Sequence, residues 1–389
     1  MRYSCVFFFQ KENLMANSIE VTPVKNFWDR RAFLQLPWRI YANDSNWIPP
    51  LLCSHLGLIG FKKDAYYLRN QIQTFLARRN GKVVGRIAAI VNQGHLDLYQ
   101  DSRGFFGFFE CENDQEAANA LFDTARAWLR EKGITNIRGP MNPSMNHEVG
   151  LLIDGFHNHP MFMMTYNPPY YQQLVENYGF QKSQDLFAFV GYLDMLPGIV
   201  NKYSGIAEQI KERFGVTIRK MDESRFDEEV RMFMDVYNRS ISNTWGHVPM
   251  SKEELDQEAK GLKTLIVPDL AICAEIDGKP VGCLICLPDF NPAIRKIKGR
   301  LFPFGFLSIL KAKKHFKEIR SVSANVLPEY QMMGIPLLLM QALLPAAEKW
   351  GINKAEFSWV LESNAYSRGS LEKAGTKCEK TYRVYDIGD

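Results

Sequence analysis

Two short stretches, whose turns lie 197 residues apart, constrain the chain more than any other feature. Residues 74–91, TFLARRNGKVVGRIAAIV, read as two β-rich runs on either side of Asn80-Gly81, and residues 270–287, LAICAEIDGKPVGCLICL, do the same around Asp277-Gly278. Asn-Gly and Asp-Gly between such runs specify a two-residue hairpin, because both turn positions need positive φ and these residue types reach it at least cost. The correspondence extends beyond the hairpins. Val21-Thr22 and Val216-Thr217 open apparent first strands, and Trp47 with Pro49, and Trp245 with Pro249, close helical regions. Asn167 and Asn364 keep the offset of 197, and Tyr178-Gly-Phe180 and Lys373-Ala-Gly375 end short helices. In a chain of 389 residues this is the signature of a tandem duplication. Each half reads β-α-ββ-(insert)-β-α-β-α-β, a mixed α/β sandwich. The expected division is 15–193 and 194–389. The inserts differ: the first half carries residues 139–160, the second the basic segment 291–317.

The second half contains the stretch where chemistry is expected. Residues 321–326, SVSANV, have the composition of a strand. Apolar residues then recur at Ile335, Leu338, Leu339, Ala342, Leu343 and Ala346 with helical spacing. Pro336 suits a first turn of helix, where its missing N–H costs nothing. Between strand and helix lies Gln331-Met-Met-Gly334-Ile-Pro336. A strand entering a helix through a glycine turn gathers backbone N–H groups at the positive end of the helix dipole, which suits a phosphate.

These residues carry a resemblance. Val326-Leu-Pro328-Glu329-Tyr330-Gln331-x-x-Gly334-Ile-Pro336 resembles the pyrophosphate loop of the GNAT acyltransferase superfamily, and Asn364-Ala-Tyr-Ser-Arg-Gly-Ser-Leu371-Glu-Lys373-Ala-Gly375 resembles its asparagine-led helix. Met332 and Pro336 stand where that family usually has glycine, and Leu371 where it often has a tyrosine that protonates the leaving thiolate. The resemblance implies an α/β, mixed-sheet fold in two tandem copies, similar to uncharacterised bacterial two-domain GNAT-like proteins. It implies an acyl-CoA-dependent N-acyltransferase that uses acetyl-CoA or another acyl-CoA as co-substrate, with a small-molecule amine or amino-acid-like acceptor. It places the donor on Val326, Leu327, Gln331, Met332, Met333, Gly334, Ile335 and Asn364. Candidate bases beside that loop are Ser323, Asn325 and Glu362. Only Glu362 titrates near neutral pH, so Glu362 and Tyr366 are the catalytic candidates. The rival readings are a Fem-type aminoacyl transferase using charged tRNA and a non-catalytic binding protein of the same fold.

The first half lacks that loop. The acidic run Cys111-Glu-Asn-Asp-Gln-Glu116 replaces it and would repel a pyrophosphate, so one donor site per chain is expected. Its insert, dense in Gly, Pro and Asn, is expected to face substrate, with Asn146, His147, Glu148, Asn167 and Tyr170 as binding residues. The histidines and acids of the insert lack metal-ligand spacing, so no metal is expected. The 291–317 segment holds eight Lys and Arg, no Asp or Glu, and Leu-Phe-Pro-Phe-Gly-Phe-Leu at its centre. Such a segment fits an anionic membrane surface or a long acyl chain.

A net charge of +4 gives no sign of a DNA-binding protein. The seven scattered cysteines predict reduced thiols and a cytoplasmic protein. Cys283-x-x-Cys286 lies in a strand pattern, where residues three apart face opposite ways. Met15 offers a second start, which would make residues 1–14 an upstream extension.

Overall fold

The computed structural model describes residues 18–192, 195–242 and 244–388. Cys5, Met15 and the boundary at 193–194 lie outside the described residues. The first half runs β1 (Ile19–Pro23), α1 (Phe27–Ile40), α2 (Leu52–Leu58), β2 (Gln71–Arg79), β3 (Lys82–Val91), α3 (Gln93–Tyr99), β4 (Arg103–Cys111), α4 (Gln115–Arg130) and β5 (Asn136–Gly139). The short strands β6 (Met141–Asn142), β7 (Glu148–Val149) and β8 (Leu151–Asp154) follow, then α5 (Tyr171–Tyr178) and β9 (Gln181–Tyr192). The second half runs α6 (Leu196–Phe214), β10 (Val216–Lys220), α7 (Phe226–Ser240), α8 (Lys252–Leu262), β11 (Ala271–Ile276) and β12 (Lys279–Pro288). It ends with α9 (Asn291–Lys296), α10 (Gly305–Ala312), β13 (Glu318–Val326), α11 (Ile335–Trp350), β14 (Lys354–Leu361), α12 (Ala365–Lys373) and β15 (Lys377–Ile387).

The two hairpins form where their turn residues place them. Asn80 and Gly81 have φ of 52° and 76°, Asp277 and Gly278 of 50° and 71°. Double positive φ matches the twist of the flanking strands. Cys283 and Cys286 on β12 belong to apolar clusters on opposite faces of the sheet, as the strand reading requires. The six described cysteines are free.

Thirteen strands form one sheet in the order β1-β2-β3-β4-β5-β15-β9-β14-β13-β12-β11-β10, with β8 also on β15, and β6 pairs with β7 apart from it. Reading inward from either edge gives the same sequence of elements, which is the duplication in space. The closing strands, however, are exchanged. β9 ends the first half in sequence but pairs with β14 of the second, from Lys354 opposite Tyr192 to Leu361 opposite Leu186. β15 pairs with β5 of the first half. The two exchanged strands lie against each other along their length.

Buried charge locks this junction. Asp386 on β15 accepts from Arg138 Nε at 2.7 Å and from Ser183 Oγ at 2.9 Å, and pairs with Arg103. Asp185 on β9 accepts from Arg383 on β15 at 2.8 and 3.1 Å. Burial alone would raise the Asp386 carboxyl, but Arg138, Arg103 and Ser183 hold it below its ordinary value. A depressed carboxylate stabilises the fold above its unfolded pKa and loses that contribution as pH falls through the folded one. Asp386→Asn is therefore expected to cost about 2 kcal/mol or more at pH 7, by leaving Arg138 without its carboxylate partner, while Arg103 keeps Asp101. The difference between the proteins should shrink as the solution is acidified below the ordinary carboxylate range. Denaturant titrations of both at neutral and acid pH check this.

Candidate functional site

β13 and β14 are parallel neighbours for only four positions, from Glu318 opposite Lys354 to Ser321 opposite Phe357. Just past that point β13 shifts register against β12, so that Val322 has no opposite residue. A bulge bends its strand, and here it coincides with the parting of β13 from β14. A cavity of about 1130 Å³ opens between them. Ser323, Asn325 and Val326 line one side, and Phe357, Trp359 and Leu361 the other. Arg320 and Ser358 also line it. Arg320 is buried yet satisfied: Nε donates to Ser358 Oγ at 2.8 Å, and Nη1 to the carbonyls of Phe162 and Met163.

One end of the cavity is built from the start of α11 and from α12. Gln331, Met332, Gly334 and Pro336 line it, with Asn364, Tyr366, Ser370 and Leu371. Gly334 sits at φ 76°, and no side chain caps α11. A Cβ there would stand 2.6 Å from Ile210 Cδ1 on α6, and the positive φ strains any other residue. Asn364 caps α12, accepting from Ser367 N at 3.0 Å. α11 is apolar on two sides for two reasons. Ile335, Leu338, Leu339 and Leu343 enter the core, while Leu337, Met340 and Leu344 face the cavity.

The other end joins both halves. Asn146 and His147 of the first-half insert meet Tyr237 on α7, His247 and Met250 beyond it, and Glu258 on α8. Tyr237 donates to Asn146 Oδ1 at 3.0 Å, and Asn146 Nδ2 to the Val248 carbonyl at 2.9 Å. Ser144 Oγ and His147 Nδ1 are 2.9 Å apart. Burial pulls His147 and His247 down to about 4, so both imidazoles are neutral at pH 7. Burial, with Asp64 and Glu254 nearby, pushes the Glu258 carboxyl up to about 7. A carboxyl that titrates at working pH inside an apolar cavity is suited to proton transfer.

The sequence-derived residues separate into three groups. Val326, Gln331, Met332, Gly334, Asn364, Tyr366, Asn146 and His147 line the cavity. Leu327 and Ile335 are buried in the core, with Met333 packed against it. The rest do not line the cavity. Glu362 pairs with Lys182 of β9 at 2.9 Å. Asn167 spends its amide on the Leu152 backbone, Tyr170 donates to the Cys111 carbonyl, and Glu148 accepts from Asn142. Glu258, Tyr237 and His247 were not foreseen. Residues 252–262, KEELDQEAKGL, are rich in charge, and nothing local sets the half-buried Glu258 apart from its neighbours.

The equivalent place in the first half is filled by the chain itself. β4 and β5 pair at three positions only, then part. β6 lies in the gap: a Cβ at Gly107 would overlap the Met141 carbonyl, and Asn142 Oδ1 accepts from Phe108 N at 2.6 Å. The α4 N-terminus is capped by Asp114, which Arg79 holds.

Residues 230–376 match the acetyltransferase (GNAT) family model. Over 384 residues the chain is 36% identical to the bacterial ceramide synthase of Caulobacter vibrioides, covering 95% of this chain and 97% of that one. The chain belongs to the GNAT family. It is also 32% identical to protein YghO of Escherichia coli, over 98% of each chain. Among solved structures, a tandem GNAT protein from the clavulanic acid biosynthesis pathway superposes with a TM-score of 0.55 over 95% of this chain and 98% of its own, at 12% identity. The tandem GNAT fold is thus shared at a distance where little sequence remains. Acyl-CoA is the co-substrate of GNAT enzymes, and among the described residues no group of three or more His, Cys, Asp or Glu could hold a metal ion. Gly334→Glu is expected to abolish binding of coenzyme A thioesters, by strain at positive φ and by negative charge at the helix start. Calorimetry should show one site in the wild type and none in the variant; undiminished binding would locate the donor elsewhere.

Proposed function

We propose that the chain transfers an acyl group from coenzyme A to the amine of a long-chain amino alcohol, forming the amide of a ceramide-type lipid. The observation that carries this reading is the cavity between β13 and β14. One end lies at the glycine turn before α11, the other holds the Glu258 carboxyl, and many of the side chains between are apolar. Its volume of about 1130 Å³ exceeds the roughly 300–1,000 Å³ of a drug-sized pocket, as a site for two hydrocarbon chains must. Likeness over the whole chain to a bacterial ceramide synthase supports the same acceptor class. In this reading the 194–389 half binds the thioester at Gln331–Gly334 and Asn364. The 15–193 half, its own gap filled by β6, contributes Asn146 and His147 to the acceptor end.

The amine must lose a proton before its lone pair attacks the thioester carbonyl. Glu258 takes that proton, directly or through a water. The C–N bond then forms, the C–S bond breaks, and the thiolate leaves. As the C–N bond forms the nitrogen sheds its second proton, and Tyr366, beside Ser370 on α12, relays it to the thiolate, so that coenzyme A leaves as the free thiol. His147 and His247, neutral at pH 7, offer hydrogen bonds to the acceptor's polar head without adding charge. Glu362, held by Lys182, has no part in this scheme.

Below pH 7 Glu258 is protonated and cannot accept, so kcat/KM is expected to rise with pH through an inflection near 7. Glu258→Gln should lower kcat about 10²-fold or more and remove the inflection. A raised KM with unchanged kcat would make Glu258 a counter-ion for the ammonium and overturn its role as base. Thiol release assayed over acyl and amine chain lengths tests the substrate class. Long-chain pairs should be strongly preferred, and equal use of acetyl-CoA with short amines would overturn the lipid assignment.

A further inference from the structure

The insert between β12 and β13 presents two faces. Inward, Ile309 of α10 is buried in the apolar cluster that contains Phe233, Met234, Ile285 and Leu287, all four of which line the cavity. Outward, Phe302 and Phe304 are 79% and 73% exposed, and Leu307 and Leu310 about half exposed. Neighbouring large apolar side chains left this open mark an interaction site rather than ordinary surface scatter. Cations flank them on both sides in the chain: Arg295, Lys296, Lys298 and Arg300 before, and Lys311, Lys314 and Lys317 after, all exposed. The segment contains no carboxylate. Among the described residues no helix is long and apolar enough to cross a membrane.

We propose that this face, residues 302–310 with its flanking cations, is a docking surface for an anionic phospholipid bilayer. The phenylalanine and leucine side chains enter the acyl boundary while the lysines and arginines stay at headgroup level, each half of the motif matching one layer of the membrane. Charge decides the partner: a cationic, acid-free border around an apolar centre complements an anionic interface and repels a second copy of itself. Docking would hold the wall of the cavity against the bilayer. That the acceptor is drawn from the membrane rests on the function proposed above; the docking itself does not.

The test is sedimentation of the full chain with phosphatidylcholine vesicles containing or lacking phosphatidylglycerol. The protein is expected to pellet with the anionic vesicles at low salt and to be released at high salt, since screening weakens surface charge. Each cation near the bilayer contributes about five-fold, so Lys296→Gln, Lys298→Gln and Arg300→Gln together should weaken partitioning about a hundred-fold at low salt. Phe302→Asp with Phe304→Asp should weaken it by at least about ten-fold at every salt concentration. Both sets replace exposed side chains and should leave the melting curve and thiol release with a water-soluble amine unchanged. No pelleting at low salt overturns the proposal. So does pelleting indifferent to the Phe302 and Phe304 changes, with transfer RNA competing, which would make the segment a polyanion site. Self-association lost in the same variants would overturn it in favour of a protein interface. Because binding is read without catalysis, a failure of acyl transfer leaves this result standing.

Discussion

β9 and β15 run antiparallel from Lys377 opposite Val190 to Asp386 opposite Gln181, and each has left its own half to do so. The parallel strands β5 and β14 are each bordered on one side by a strand from their own half, β4 or β13, and on the other by one from the opposite half. The duplication is therefore not two beads on a string. Leu186, Gly191 and Tyr192 of β9 line the cavity of the second half, and Arg320 of β13 is anchored on carbonyls of the first. The ion pairs of Asp185 and Asp386 sit at this joint and carry the two exchanged strands as one unit.

One geometric device, used twice, has two outcomes. A parallel pair that holds for three or four positions and then parts opens a gap at the carboxyl ends of its strands, where open α/β sheets bind ligands. In the second half the gap is lined by side chains and leads to the uncapped start of α11. In the first, β6 enters it and Asp114 occupies the helix start. Filling one gap with the chain's own backbone leaves the duplicated fold asymmetric, and the filling segment continues into Met145, Asn146 and His147, which help to line the other cavity.

What was legible in the sequence was local. The Asn80-Gly81 and Asp277-Gly278 turns, the glycine turn at Gly334 and the cap at Asn364 are each decided within a few residues, by φ preference or by a short hydrogen bond. The exchange of β9 and β15 was not legible. Both closing segments read as strands, but a strand pattern names no partner, and only packing across the junction selects one. The same reason separates the site residues. Gln331 and Gly334 lie in a turn that its own residues mark, whereas Glu258 belongs to an acidic helix, opened by the Ser251–Glu254 capping box, that is half-buried because Leu255, Ala259 and Leu262 pack on the second-half core and Gln257 docks on Asp64 of the first half. Glu362 shows the converse: its partner Lys182 arrives on the strand from the other half, which no local pattern announces.

Strand exchange also fixes an order of events during synthesis. β5 is complete early, yet its outer neighbour β15 is translated only after nearly the entire second half. Until then the first half carries an open edge beside β5, and β9 waits for β14. Unpaired strand edges invite pairing with other chains, and long-range pairings are slow to form. The first half must therefore remain unfinished beside β5 until the closing segment emerges, and a molecule truncated before β15 is left with facing open edges on β5 and β9 in the middle of its sheet.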